Sequence, residues 1–351
     1  MGTMEYRPLG RTGVQVSSVC LGCMNFGGRT PEGEALAIVD RAIGAGVNFV
    51  DTANVYGHDP GDFSVGRGRS EEILGRALAV DRRRDRVVVA TKLHFAMSDD
   101  PNDRGSTRRN VIASCEASLR RLGTDYIDLL QLHHPSNDVP IDETLRALDD
   151  LVRRGLVRYL GTSSFGAWQI VESLWVSKEL GLNRIISEQA VYNLLDRRAE
   201  RELFPMAQTY GIAILAWAPS AGGLLTGKYR RGEPAAEGTR YDAFWRASDE
   251  LFTDAAFDVV DAVSALADEK GCTPVQLATA WVAAQPAVTC PIIGPRTLDQ
   301  LEGYLGAFDV ELAGEDLVRL DQAAPPGRET VPYYGHDGFA WTTWGPHEHR
   351  W

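Results

Sequence analysis

The sequence predicts an α/β fold of the (β/α)8 TIM-barrel type, with an N-terminal hairpin and long loops at the C-terminal face. Three observations predict it. Eight short apolar runs punctuate the chain. Amphipathic stretches lie between them. The runs are near-continuously apolar and do not alternate, as befits strands covered on both faces. Strand then helix, eight times over, describes a closed parallel barrel.

The elements follow in order. MEYRPLGRTGVQV reads as a hairpin that turns at Arg11-Thr12-Gly13 and plugs the barrel floor. The eight runs occupy 17–22, 47–50, 87–91, 127–132, 157–161, 184–187, 212–217 and 288–293. Pro291 falls in the last one. Proline removes a ladder donor, which a short strand tolerates near its end. Helical patterns cover roughly 33–45, 107–122, 166–180, 197–210, 274–285 and 297–306. In SEEILGRAL, Ser70 is the expected N-cap, with Glu71 and Glu72 in the first turn where the helix dipole favours negative charge. IDETLRALDDLVRRG places Leu145, Leu148, Leu151 and Val152 on one stripe and stops at Gly155. A further helix, 253–270, lies inside the long stretch 219–272, and another covers 314–323.

Composition sets the outer limits. The chain has 351 residues, 44% hydrophobic and 24% charged, which is ordinary for a globular protein. Barrels of this size fold as one domain, so we expect a core over about 4–323 and an aromatic tail over 324–351. The net charge of −12 disfavours nucleic acid and acidic membranes as partners. No apolar run is long enough to span a bilayer, and the N-terminus lacks a signal-peptide core. A cytoplasmic location is the expectation. The five cysteines are odd in number and scattered, unlike a disulfide scaffold. Cys20 and Cys23 form a lone C-x-x-C with no second pair, so packing explains them better than zinc.

Four residues at strand ends carry the chemistry. Asp51 follows the second run, Tyr56 lies five residues later, Lys92 ends the third and His133 ends the fourth. Barrel active sites sit at the C-terminal ends of the strands, so all four converge on one rim. Taken singly, each has a plain structural reading: a buried ion pair, a packing tyrosine, a core histidine. Together they make a proton-delivering set. A free phenol has a pKa near ~10. An adjacent ammonium favours the phenolate and is expected to lower that value. Lys92 would do this, Asp51 would hold Lys92, Tyr56 would be the general acid, and His133 would hydrogen-bond the oxygen being protonated.

The motifs LGCMNFGG, DTANVYG, SEEILGRAL, VVVATK, DYIDLLQLH, RYLGTSSF, SEQAVYNLLDR, LAWAPSAGGLLTGKY and PIIGPRTLDQL resemble those of the aldo-keto reductases. The likeness runs from about residue 4 to residue 323. It is greatest to the branch of bacterial reductases that includes the potassium-channel β-subunits. The resemblance implies a TIM-barrel oxidoreductase whose catalytic tetrad falls on Asp51, Tyr56, Lys92 and His133.

A hydride source is then needed, and no flavin, metal or G-x-G-x-x-G motif is present. Barrels commonly bind phosphate at the loops after strands seven and eight. Here those loops are APSAGGLLTGK and GPRTLDQ. Gly222 and Gly223 permit close backbone approach. Lys228 and Arg296 bring positive charge, and a helix start at 297 favours phosphate. The resemblance implies NADP(H), with Trp217 stacking on the nicotinamide and Ser163, Ser164 and Gln189 bonding its carboxamide. It also implies Arg296 on the 2′-phosphate and Gln300 on the adenosine side. Gly22, Cys23, Met24, Asp51, Ala218, Pro219, Ser220, Arg240, Gly294 and Tyr304 complete the implied contacts. Two positions depart from the family pattern. Gly303-Tyr304 stands where this branch usually has Glu-Asn, and Ser164 where many members have Asn or Arg.

Three segments are candidates for setting the substrate: 57–69, 229–251 with its aromatics Tyr241, Phe244 and Trp245 and neighbouring Phe252, and the tail. Three of the eight tryptophans lie in the last eleven residues. An aromatic tail of this kind is expected to dock, over the active site or on a neighbouring subunit of a homo-oligomer. The leading expectation is reduction of an aldehyde or ketone. The alternatives are a cofactor-bound redox-sensing subunit, and sugar or secondary-alcohol oxidation or redox-neutral epimerisation at the same site. A metal hydrolase would rest only on Asp51 and His133-His134, so no metal is expected.

Overall fold

The computed structural model describes residues 4–59, 62–243 and 251–331. Eight parallel strands close into a barrel. They are β3 (Cys20–Gly22), β4 (Phe49–Asp51), β5 (Val88–Leu93), β6 (Ile127–Leu132), β7 (Val157–Ser163), β8 (Ile185–Val191), β9 (Ala213–Trp217) and β10 (Val288–Ile293). Each pairs with its successor, and β10 returns to β3. All eight apolar runs are therefore barrel strands. Pro291 stays in the ladder, in register with Ala216, with a shift between Val288 and Cys290 just before it.

The hairpin forms where expected. β1 (Tyr6–Pro8) and β2 (Gln15–Ser17) pair antiparallel. Leu9 and Val16 are fully buried. They pack with Cys20, Phe49, Ala90, Leu129, Ile186, Ala213 and Leu215, the inward-facing residues of the lower barrel. Gly10 has a φ of +60°, and a Cβ there would stand 2.6 Å from the Ile186 carbonyl oxygen. Only glycine lets the turn press so close to the floor.

Most helices match their periodicity. α4 (Ile141–Arg153) buries Leu145, Leu148 and Leu151, leaves Val152 half-buried, and is followed by Gly155 at φ +75°. Two expectations are corrected. Ser70 is not the cap of α2 (Arg69–Ala79), because Gly68 is, in the left-handed conformation. The Ser70 hydroxyl instead donates to the Cys23 carbonyl at 2.8 Å and meets Thr52 Oγ1 at 2.8 Å, tying the helix to two strand ends. Glu71 lies in the first turn as expected, and there it is buried against Arg121 and Thr91. The pattern over 197–210 is also two elements: a 3-10 turn, Arg198–Glu200, and a helix, Leu203–Tyr210. Pro205 explains the break, since its missing N–H confines it to a helix's first turn.

A register shift in β8 decides what faces the barrel interior. Leu160 pairs with Ile185, but Gly161 pairs with Ser187. The extra residue changes the inward phase, so Ile186 faces the lower interior and Ser187 and Gln189 face the upper. Among the described residues, no helix is long and apolar enough to cross a membrane.

The plug predicts a stability effect. Leu9→Ala should cost about 2–5 kcal/mol, the range for a buried leucine whose cavity cannot collapse. Chemical denaturation of the two proteins checks it, and an unchanged midpoint would show that the hairpin is no part of the core.

Candidate active site

The four strand-end residues meet at the C-terminal rim. Lys92 is fully buried on β5, and its Nζ forms a short ion pair with Asp51 Oδ2. The same Nζ donates to the Thr52 carbonyl at 2.9 Å and to Tyr56 Oη at 3.3 Å. Tyr56 Oη lies 3.4 Å from His133 Nε2. The phenol thus stands between an ammonium and an imidazole. Asp51 Oδ1 accepts two further bonds, from Gln131 Nε2 at 2.9 Å and Gln189 Nε2 at 2.8 Å.

Burial and charge compete at each group. Burial pushes the Tyr56 hydroxyl above its ordinary value, and Lys92 offsets only part of this. Where the sequence predicts a net lowering by the ammonium, desolvation of the phenolate is the larger effect. Burial alone would lower Lys92, but Asp51 and then Tyr56 raise it overall. His133 is held well below the usual imidazole range by burial, then by Lys92, His134 and His94. It is therefore neutral near pH 7. His94 and Phe95 extend this wall: Phe95 meets the His133 ring edge-on at 4.8 Å, and His134 stacks on His133 at 5.5 Å.

The residues expected around a cofactor gather on the same rim. Gly22 is in register with Asp51, and Cys23 N–H donates to the Asp51 carbonyl at 2.8 Å. Both Cys20 and Cys23 are buried free thiols whose pKa burial raises, so they are packing residues. Met24 is half-buried. The Ser163 hydroxyl and the Ser164 N–H both bond the Gln189 carbonyl, at 3.0 and 3.1 Å. Trp217, Ala218, Pro219 and Ser220 run from the end of β9 into a tight 3-10 segment, Ala221–Thr226. Ser164, Ala218 and Ala221 are non-glycine residues with φ of 60°, 58° and 49°. Such strain costs about 1–3 kcal/mol per residue and gathers at functional sites.

Four cations crowd one side of this rim. Burial, together with Arg240 and Arg296, holds Arg29 below its ordinary value. Lys228 is lowered by desolvation and by Arg296, Arg240 and Arg29. Arg29, Arg296 and Gln300 line a cleft of about 370 Å³ with Pro31, Glu34 and Thr297. Beside it Thr297 caps the helix Leu298–Leu305, and Gln300 Oε1 accepts from the Arg296 N–H at 2.8 Å. Asn25 Nδ2 donates to the Gly294 carbonyl. Tyr304 turns its hydroxyl to Ser220 Oγ at 3.1 Å, bridging the two loops. Clustered cations beside a helix N-terminus and left-handed glycines at 222 and 223 fit a polyphosphate. Sequence reading missed Arg29 and Gln131. Arg29 had one faint signal, a cation among glycines in an acidic chain. Gln131 had another, the lone amide in an apolar strand.

Other expectations fare differently. Tyr241 is buried, its hydroxyl donating to the Ala221 carbonyl at 2.7 Å, and with Tyr229, Phe252 and Phe257 it forms an aromatic cluster. It braces the phosphate-side loop and lines no open surface. Pro60 and Gly61 of the 57–69 loop, Phe244, Trp245 and the tail from 332 on lie outside the described residues. Among the described residues, no group of three or more His, Cys, Asp or Glu side chains could hold a metal ion.

Behind the rim, Glu188 is fully buried on β8 and accepts from the Phe165 N–H at 3.0 Å. Burial pushes its carboxyl from 4.5 up to about 8. The folded chain therefore keeps a proton that the unfolded chain loses above ~4.5, so stability falls as pH rises toward 8. Glu188→Gln keeps the shape of the protonated acid and should raise Tm more at pH 8 than at pH 5. Equal shifts at both pH values would remove the buried acid as the cause. His133 acts oppositely: lowered in the fold, it contributes stability above ~6.5 that is lost as pH falls below it.

The rim of the (β/α)8 barrel thus holds a buried Asp–Lys pair, a phenol and an imidazole, with a cationic cleft on the same face. The family model described as the aldo/keto reductase family matches residues 18–325. The chain belongs to that family. It is 39% identical to an uncharacterized oxidoreductase, YrpG, of Bacillus subtilis (strain 168), over 94% of this chain and 99% of that protein. It is 36% identical to a probable voltage-gated potassium channel subunit beta of Oryza sativa subsp. japonica, over 88% and 92%. It is 34% identical to the versiconal hemiacetal acetate reductase of Aspergillus parasiticus, over 92% and 98%.

Proposed function

We propose that the protein is an NADPH-dependent carbonyl reductase in which Tyr56 is the general acid. The observation that carries the reading is Tyr56 Oη standing 3.3 Å from Lys92 Nζ and 3.4 Å from His133 Nε2. Burial keeps the phenol protonated at neutral pH, ready to give its proton to a carbonyl oxygen. As it leaves, Lys92 stabilises the phenolate, which the apolar surroundings would otherwise disfavour. Asp51 fixes Lys92 and offsets its buried charge. Neutral His133 donates through Nε2–H to the same carbonyl oxygen. The nicotinamide supplies the hydride that adds to the carbonyl carbon. Arg29, Lys228, Arg240 and Arg296 supply the charge for its phosphates, and the cleft beside Arg296 suits a 2′-phosphate.

The test uses purified protein, NADPH and 4-nitrobenzaldehyde. Wild type should consume the cofactor through many turnovers, and Tyr56→Phe should lose at least ~10²-fold in rate while still binding it. Equal rates would remove Tyr56 from the chemistry. Arg296→Ala should weaken NADPH binding about 10–100-fold and leave NADH little changed. Parallel losses for both cofactors would contradict the assignment of the cleft.

The relatives named as potassium-channel β-subunits support a second reading, a cofactor-retaining redox sensor. Native mass spectrometry and turnover number separate the two. Bound cofactor that survives purification, with about one turnover per chain, would favour the sensor.

A further inference from the structure

We infer that Gln131 is a positioning residue that orients Gln189 and so joins the proton-delivering pair to the nicotinamide end of the cofactor site. The inference rests on the proposed role of Gln189 toward the cofactor's carboxamide.

Asp51 pairs with an ammonium through Oδ2, and its Oδ1 is an acceptor only. Two side-chain amides approach that one oxygen, Gln131 Nε2 at 2.9 Å and Gln189 Nε2 at 2.8 Å. Each must therefore present its NH2 end, whatever its other surroundings. With its nitrogen on Asp51, Gln131 has its Oε1 free to accept. Gln189 Nε2 donates to it at 3.2 Å. Both hydrogens of the Gln189 NH2 are then used, and the polarity of its amide is fixed.

The remaining atom is the informative one. Gln189 is 4% exposed. Its Oε1 receives no hydrogen bond from the described residues, and it is absent from the set of buried polar atoms without a partner. It is thus an oriented acceptor that keeps some exposure. A carboxamide N–H is the complement of such an oxygen, and a phosphate or a carboxylate is not. Gln131 has no access to solvent, with an exposure of 0%. Its influence on a ligand passes through its two amide contacts.

The backbone is arranged to admit it. Gln131 is in register with Lys92 on one side and with Gly161 on the other. A Cβ on Gly161 would stand 3.0 Å from Gln131 Cγ and 2.5 Å from Ser187 Oγ. The glycine leaves room for the long amide to cross the barrel toward β8. The register shift at Ile186 turns Gln189 inward to meet it.

The experiment compares wild type with Gln131→Met, which keeps the volume and removes both hydrogen bonds. Binding is read by quenching of protein fluorescence with two probes, NADPH and 2′-phospho-ADP-ribose, which lacks the nicotinamide. The inference expects the Kd of Gln131→Met for NADPH to rise about tenfold, a loss of ~1.4 kcal/mol. The Kd for the fragment should stay within about twofold, and kcat with 4-nitrobenzaldehyde should fall more than the KM for the aldehyde changes. Gln131→Glu keeps the length but offers Asp51 no amide, and should show the same split. Equal weakening of both probes, unchanged NADPH binding, or loss of folding in both variants would overturn the inference. Wild type that neither binds NADPH nor turns over would instead sink the proposed function on which it rests.

Discussion

A fully buried ammonium inside the barrel is the constraint on which the upper half of the structure depends. Lys92 has lost its water, and an ion of that size without compensation costs several kcal/mol. Asp51, the Thr52 carbonyl and the Tyr56 hydroxyl replace that water. Asp51 in turn needs donors for its second oxygen, and Gln131 and Gln189 provide them. One charge thus recruits residues from three other strands and a loop. Removing a member would leave a buried partner unsatisfied, which is more costly than the bond itself is stabilising.

The interior is accordingly layered. Below lie apolar side chains, sealed by Leu9 and Val16 of the hairpin. Above lie the charged and amide groups. The lower layer contributes stability through burial, and the upper layer consumes some of it through strain at Ser164, Ala218 and Ala221. Such a division lets the rim hold its polar groups rigidly, because the core beneath over-determines their positions.

Charge is organised in the same spirit. The chain carries a net charge of −12, yet Arg29, Lys228, Arg240 and Arg296 lie close enough to repel one another, and Arg29 and Arg296 line one cleft. Burial, and then their mutual repulsion, depresses Arg29 and Lys228, and an anion would relieve the repulsion. An acidic exterior around a local cationic group repels extended polyanions more than it repels a small anion. Relatives of similar overall length bear names as different as a reductase and a channel subunit. Membership of the family therefore leaves the use open, and particular sites decide it.

The strands, the hairpin and the four rim residues were legible in the sequence because each depends on local signals: a continuous apolar run, a glycine turn, a polar residue at a strand's end. The role of Ser70 was not, because a serine at a helix start reads as a cap until its tertiary partners are known. Arg29 and Gln131 escaped for the same reason, since nothing near them in sequence names Arg240 or Asp51 as neighbours. The direction in which Tyr56 shifts was beyond sequence too: it turns on how much water the phenol loses set against one ammonium at 3.3 Å. By itself the sequence determined a barrel and which side chains crown it. Tertiary structure alone decided how they are joined, because hydrogen-bond polarity, desolvation and the inward phase of β8 are properties of neighbours that only closure of the barrel brings together.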